Sequence, residues 1–416
     1  MTNNQTNVRK LIHTDQGVEW LAQFDPLDQE IAIAIANNLT LISHNEFERN
    51  LVKKIASVVQ NIAGTVALFA MREMEKTNNL TTPYYEQAKI CDDGISVSPL
   101  SVTADIGSEG RIASIIRQFC KKDKINYLNH PTLEHMRSLK CDAIICIDDF
   151  IGTGGRAHEF LDSLWKEKTL VSWHSSKHIE FHVVAYSGID RGIERAHQHK
   201  SKPLIHIYRD APTFYSLPWS EGRKEAVFEL CEKYGAKANK KRKHMWLGYK
   251  KSMSSIVFEH GCPNNAPGIL VEENNGWLGL FPDRTIADTT RSIFPNEIPQ
   301  KANPLSLERV GQKKLANSPS LMKAGDKGQI YITILALIAK GKNKRPTLCF
   351  ATGLSNDDCD ACLAKLINWG FVSPQKRITP TGLAELKSAK RIGIVKPEKL
   401  EKGSDYYYPQ QLRKST

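Results

Sequence analysis

Apolar positions recur at helical spacing across residues 28–76, as in Phe47, Leu51, Ile55, Val58, Val59 and Ile62. They predict a helical region, assigned to residues 1–80, ahead of a sheet. The pattern then alternates: a loop at 101–110, a helix at 111–121, a buried strand at 143–147, a helix at 155–165 and a strand at 179–186. A helix at 191–199, a strand at 204–208 and a helix at 221–234 follow, and the sheet resumes at 255–259. Strands alternating with helices of this length predict an α/β fold with a mostly parallel sheet covered on both faces, assigned to residues 81–285.

Residues 286–326 are polar and interrupted by proline, the pattern of a linker. Residues 327–395 carry helical patterns at 330–339, 347–351 and 355–369, the last with Ser355 and acidic residues at its start. Strand, turn and strand follow at 370–372, 374–376 and 377–379, then a closing helix at 380–389 and a basic tail at 396–416. This order, with its Gly-Phe-Val and Ile-Thr-Pro-Thr-Gly-Leu-Ala-Glu-Leu segments, resembles a winged-helix domain.

Composition narrows the classes. With 41% hydrophobic and 25% charged residues in 416, the chain is ordinary globular material for two or three domains. The apolar run at 31–42 is too short for a bilayer and holds Asn37 and Asn38, and the polar start lacks a signal-peptide layout, so the chain reads as cytoplasmic with no membrane partner. Nine scattered cysteines fit a reducing compartment and core packing. Cys359, Cys362 and Cys349 lack a second matching pair, so no metal site is assigned to them. His174, His178, His197 and His199 have no matching ligand set and read as surface residues. The formal charge of +12 favours a polyanionic partner, whether nucleic acid or a phosphorylated ligand. The basic run at 237–244 reads as a solvated loop, with a phosphate contact as the alternative.

The informative chemistry lies at 144–156, Ile-Ile-Cys-Ile-Asp-Asp-Phe-Ile-Gly-Thr-Gly-Gly-Arg. A buried strand ending in two carboxylates opens where ligands bind in open α/β sheets. Gly152, Gly154 and Gly155 permit positive φ and close approach, so backbone N–H groups can converge on an anion at a helix N-terminus, and Thr153 adds a hydroxyl. Asp148 and Asp149 side by side are costly unless a cationic or hydroxylated group meets them. The run resembles the 5-phosphoribosyl 1-diphosphate (PRPP) motif of type I phosphoribosyltransferases. That resemblance implies that Asp148 and Asp149 are the catalytic pair on the ribose hydroxyls, that Gly152, Thr153, Gly154, Gly155 and Arg156 hold the 5-phosphate, and that Mg²⁺ accompanies the diphosphate. Arg156 departs from the family's usual Thr or Ser; it can fork onto phosphate or point away on the helix surface. Ser108, Gly110 and Arg111 are candidates for the diphosphate loop, with a plain helix N-cap by Ser108 as the alternative.

Residues 257–265, Val-Phe-Glu-His-Gly-Cys-Pro-Asn-Asn, and 277–282, Trp-Leu-Gly-Leu-Phe-Pro, are similar to a phosphoribosyltransferase-like effector family of bacterial conflict systems, associated with retrons and other antiphage loci. In that setting Asn264 and Asn265 either read a base or sugar or brace their loop. Lys342, Lys344, Arg345, Lys376 and Arg377 are the expected nucleic-acid contacts of the winged helix, although Asp357, Asp358 and Asp360 on its third helix would repel phosphates, and such modules also dock proteins. The resemblance implies a defence effector and toxin of glycosyltransferase type, taking PRPP or a nucleotide-like ligand. Its partners would be the reverse-transcribed DNA–RNA of a retron and an adjacent reverse transcriptase. The alternatives are a non-enzymatic DNA-binding regulator that senses PRPP or a nucleotide, and nucleotide salvage.

Overall fold

The computed structural model describes residues 11–391, apart from 79, 100–107, 275 and 302–303 and the side chains of Leu305, Ser320, Met322 and Arg391. The chain opens with α1 (Asp15–Ala22), α2 (Gln29–Ala36), β1 (Thr40–Ile42), α3 (His44–Val59) and β2 (Val66–Ala70). It continues through α4 (Ser108–Cys120), β3 (Tyr127–Asn129), α5 (Leu133–Ser138), β4 (Ala143–Ile151) and α6 (Gly155–Trp165). Next come α7 (Lys168–Ser175), β5 (Glu180–Gly188), α8 (Asp190–His197), β6 (Leu204–Asp210), α9 (Glu221–Ala238) and β7 (Ile256–Phe258). The main sheet is five-stranded, in the order β3-β2-β4-β5-β6, and every pairing is parallel. β1 and β7 pair in parallel as a separate two-stranded unit.

The helical reading of residues 28–76 holds for α3, where Phe47, Leu51, Ile55 and Val58 are buried and Ser43 caps the first turn. It missed β1 and β2. All five residues of β2 are buried between β3 and β4. A strand covered on both faces loses its polar alternation, so its apolar run reads like a helix segment.

β4 is longer than the pattern indicated. It runs through Ile151, with Asp148 in register with Ala185 and Phe150 with Ser187, so both acids sit inside the strand instead of beyond it. Alternation then sends them to opposite faces. Ile145 and Ile147 pack under α3 and α4 with Phe47 and Ile116, whereas Ile144 and Cys146 pack under α6 with Phe160 and Leu161. A further core joins α1, α2 and α9 through Trp20, Phe24 and Tyr234. His199, expected at the surface, is 1% exposed and meets Ser201 and Asp162. The basic run at 237–244 closes α9 and enters a 3-10 helix at Lys240–Met245, where Arg242 pairs with Glu272.

The C-terminal unit comprises α10 (Asp326–Ile338), α11 (Arg345–Thr352), α12 (Asn356–Asn368) and α13 (Pro380–Arg391). Its wing reduces to one bridge, Val372 to Ile378, around a turn in which Lys376 takes φ +56°. Cys349 and Cys359 lie in its core. The stretch read as a linker instead folds into short helices, among them Pro304–Arg309 and Pro319–Lys323, and buries Leu307, Leu315 and Leu321 against the same core. Proline is well suited to a first helical position, so these prolines mark helix starts rather than irregular chain. The basic tail lies outside the described residues. Among the described residues no helix is long and apolar enough to cross a membrane.

The winged helix is docked on the open edge of the sheet. Asp210, at the end of β6, accepts from Arg345 Nε and Nη2, at 2.7 and 3.0 Å, and from the Asn356 side-chain amide at 2.7 Å, and it donates its backbone N–H to Asn356 Oδ1 at 2.9 Å. Arg209 donates to the Gly353 carbonyl at 2.8 Å, and Lys54 pairs with Asp357 at 2.9 Å. Arg345, expected on nucleic acid, is therefore held by Asp210 and Asp360. Two of the phosphate-repelling acids of α12, Asp357 and Asp360, are neutralised in this same contact. The Asp210 carboxylate is 2% exposed and Arg345 is 37% exposed, so losing this half-buried pair costs less than the ~3–5 kcal/mol of a fully buried one, yet it strands the buried Asn356 amide as well. Asp210→Ala is therefore expected to uncouple the winged helix, splitting urea unfolding into two transitions; a single unshifted transition would contradict this docking.

Candidate functional site

The turn from β4 to α6 is shaped by contacts that leave no room for side chains. A Cβ on Gly152 would stand 2.0 Å from Asn265 Oδ1, and one on Gly154, which has φ +72°, would stand 2.4 Å from the Gly192 carbonyl oxygen. Gly192, in α8, would itself strike the Gly152 carbonyl oxygen at 2.3 Å. The loop is thus pressed between α8 and the 260s segment, and it enters α6 with no side-chain cap. The first N–H groups of a helix have no intrahelical partner, so this end is open to an anion. It faces a cavity of about 1550 Å³, whose wall also includes Asp148, Asp149, Arg72, Arg111, Arg195 and Asn264.

Opposite-facing acids find different partners. Asp149 accepts from His260 Nε2 at 2.9 Å, while Asp148 accepts from Arg156 Nη1 at 3.4 Å and from the Asp149 backbone N–H at 2.9 Å. Burial pushes the Asp148 carboxyl well up, with Arg156 opposing and the Asp149 charge adding to the rise. Burial also acts to raise Asp149, but its bond to His260 and the Arg156 charge prevail and hold it well below the carboxylate range. Arg156 neither caps the glycine turn nor points off the helix. It folds back onto both acids, lying 3.9 Å from Asp149, and Asp148 holds its charge in place.

The other expected residues divide. Ser108 and Arg111 line the cavity, but Arg111 is bound to Glu48 at 2.6 Å and lies against His44. Gly110 sits in the same first turn of α4 without lining the cavity, and Glu109 there is buried, which raises its carboxyl. Ser108 is the first residue of α4; the loop before it, 101–107, lies outside the described residues. Asn264 is exposed on the cavity wall, whereas Asn265 is buried, donates to Ser252 Oγ at 2.7 Å and braces Gly152. Lys342, Lys344, Arg345, Lys376 and Arg377 belong to the winged helix and line no part of this cavity.

Arg72, His260 and Arg195 were missed. Arg72 follows β2, is 1% exposed, and its three guanidinium nitrogens meet no hydrogen-bond partner among the described residues. Its guanidinium stands 5.5 Å from the Tyr84 ring. With β2 read as helix, nothing marked Arg72 as the strand-end residue beside β4. Arg195 reaches from α8 so that its Nη1 is 3.6 Å from where a Gly155 Cβ would be. His260 stood inside the 257–265 motif, but only the fold pairs it with an acid 111 positions earlier.

A parallel sheet with this loop at its C-terminal end and a helical unit with a wing behind it define a phosphoribosyltransferase-like α/β protein with an appended winged helix. The chain belongs to the PRTase-CE family, whose model matches residues 18–282, and a second model, wHTH-PRTase associated, matches residues 332–414. No curated protein and no solved structure matches the chain.

The pH response of the acid pair follows from its geometry. Asp148 has a folded pKa above its unfolded one, so its contribution to stability is present below the unfolded value, near 3.9 for a free Asp, and is lost as pH rises through the folded value. Asp148→Asn removes that penalty. The variant is expected to melt at or above the wild-type temperature at pH 7.5, with the difference closing below about pH 4. Calorimetry at both pH values checks this, and a lower Tm at pH 7.5 would show that the Arg156 ion pair outweighs burial.

Proposed function

We propose that this cavity binds PRPP or a related phosphorylated ribose, and that the chain is a retron or antiphage defence effector whose site is controlled or positioned by nucleic acid through the winged helix. The observation that carries the ligand reading is Arg72. A buried guanidinium without a partner is strongly unfavourable unless an anion answers it. It leaves the strand on one side of β4, while Arg195 leaves the helix after the strand on the other side. Between them lie the two acids and the backbone cradle. Anion sites flanking a pair of hydroxyl-accepting carboxylates suit a sugar phosphorylated at two ends.

In this reading the amides of the 152–155 turn and Arg195 hold the 5-phosphate, Asp149 orients the ribose hydroxyls with His260 fixing its carboxylate, and Arg72 meets the diphosphate. The carboxylates of Asp148 and Asp149 are the hard oxygen donors that a diphosphate-borne Mg²⁺ takes, and such an ion would neutralise charge on the leaving group. In transfer, the bond from C1 to the diphosphate oxygen breaks with its electron pair leaving on the diphosphate. An acceptor atom bonds to C1 and releases its proton. Electrostatic placement supplies the catalysis, and no single general base is needed.

For nucleic acid, Lys344 and Arg377 remain exposed, whereas Arg345 is occupied and the start of α12 is covered by Asp210 and Lys54. A regulator that reads an operator with α12 would need that contact undone, which favours the effector reading. Isothermal titration of the full chain with PRPP and Mg²⁺ tests the site. Binding is expected in the wild type, weakened at least about tenfold, some 1.4 kcal/mol, by Arg72→Met, Gly152→Ala or the pair Asp148→Asn and Asp149→Asn. Absence of wild-type binding, together with cellular toxicity that survives the double substitution, would sink the proposal.

A further inference from the structure

A second, smaller cavity of about 220 Å³ lies in the seam between the α/β domain and the winged helix, lined by Arg209, Arg309, Asn37, Asn38, Pro299 and Phe350 among others. We propose that it is an anion site that takes a phosphoryl group, distinct from the main cavity and independent of what the main cavity binds.

Two guanidiniums from different parts of the chain line it, and among the described residues only Arg209 has a carboxylate within ion-pair range, at its outer limit. Arg209, at the end of β6, is 3% exposed; its Nε finds no partner among the described residues, one arm is spent on the Gly353 carbonyl, and the nearest carboxylate, Glu46, is 3.9 Å away. Arg309, from the Pro304–Arg309 helix, donates to the neutral Asn38 side chain, and burial, reinforced by nearby Arg223, holds its guanidinium below its ordinary range. Asp210 also lines the cavity, but Arg345 and Asn356 already occupy its oxygens.

The C-terminus of α2 could have disfavoured an anion, yet its last carbonyls are satisfied. Ile33, Ile35 and Ala36 accept from the backbone N–H groups of Asn37, Asn38 and Leu39, and Ala34 accepts from the Asn38 amide. A buried polar group left unmatched in a native fold points to a missing water or ion. At roughly 30 Å³ per water the space holds several waters, and hence a phosphoryl group with its oxygens. Arginine forks match such an anion from two directions. The same chemistry is offered by orthophosphate, by diphosphate released in glycosyl transfer and by the phosphate of a mononucleotide. An occupant would touch the α2–β1 turn, the end of β6 and the winged helix together, and so tighten their docking.

Thermal unfolding of the full chain is the test, titrated separately with orthophosphate, diphosphate and a 5′-mononucleotide, with chloride at matched ionic strength as the control. A saturable rise in Tm is expected with at least one phosphorylated probe, and the probe effective at the lowest concentration identifies the source. Arg309→Gln should abolish the rise and Arg309→Lys, which keeps the charge without the fork, should weaken it. Gly152→Ala, which disables only the main cavity, should retain it. An equal rise with chloride, no rise at all, or a rise kept in Arg309→Gln and lost in Gly152→Ala would overturn the second site. PRPP titration reports on the main cavity separately, so the two readings fail independently.

Discussion

The site depends on one steric constraint: the backbone at Gly152 has no space for a Cβ. Asn265 presses on it from one side and Gly192 from the other, and Gly154 takes up a left-handed φ to turn the chain into α6. These contacts leave the turn against the cavity, with no side chain capping the start of α6. Asn265 is in turn held by Ser252, so two buried residues a hundred or more positions along the chain set the shape of the glycine turn.

Electrostatics build on that floor. The pleat of β4 sends adjacent acids to opposite faces, which is why one meets His260 and the other Arg156. Arg156 compensates charge already in the protein, whereas Arg72 and Arg195, which line the same cavity, pair with no carboxylate among the described residues. The site is neutralised around its acids and left unanswered at its ends. Such a distribution favours a ligand that brings hydroxyls to its middle and anions to its extremities.

The winged helix shares structure with this site through α3. Glu46, buried in its first turn, accepts from Tyr186 on β5 and from the Ile298 backbone, and lies 3.9 Å from Arg209, which holds Gly353 of the winged helix. His44 and Glu48 of the same turn line the main cavity. One helix end therefore touches both the main cavity and the domain seam, a physical route by which movement of the winged helix would be felt at that cavity.

What the sequence determined on its own was local. The strand, the acid pair and the glycine turn follow one another within 144–156, and the helices of the winged helix show their own periodicity and caps, so contiguous residues sufficed to place them. Even there, β2 was hidden because burial on both faces erases the alternation that marks a strand. Only the tertiary structure decided where side chains go. It turned Arg156 inward, left Arg72 buried with no hydrogen-bond partner among the described residues, set Asn265 against Gly152, and joined Arg345 to Asp210 across 135 positions. A charged side chain takes its partner from whatever the packing of distant elements brings within about 3 Å, and no local pattern carries that information.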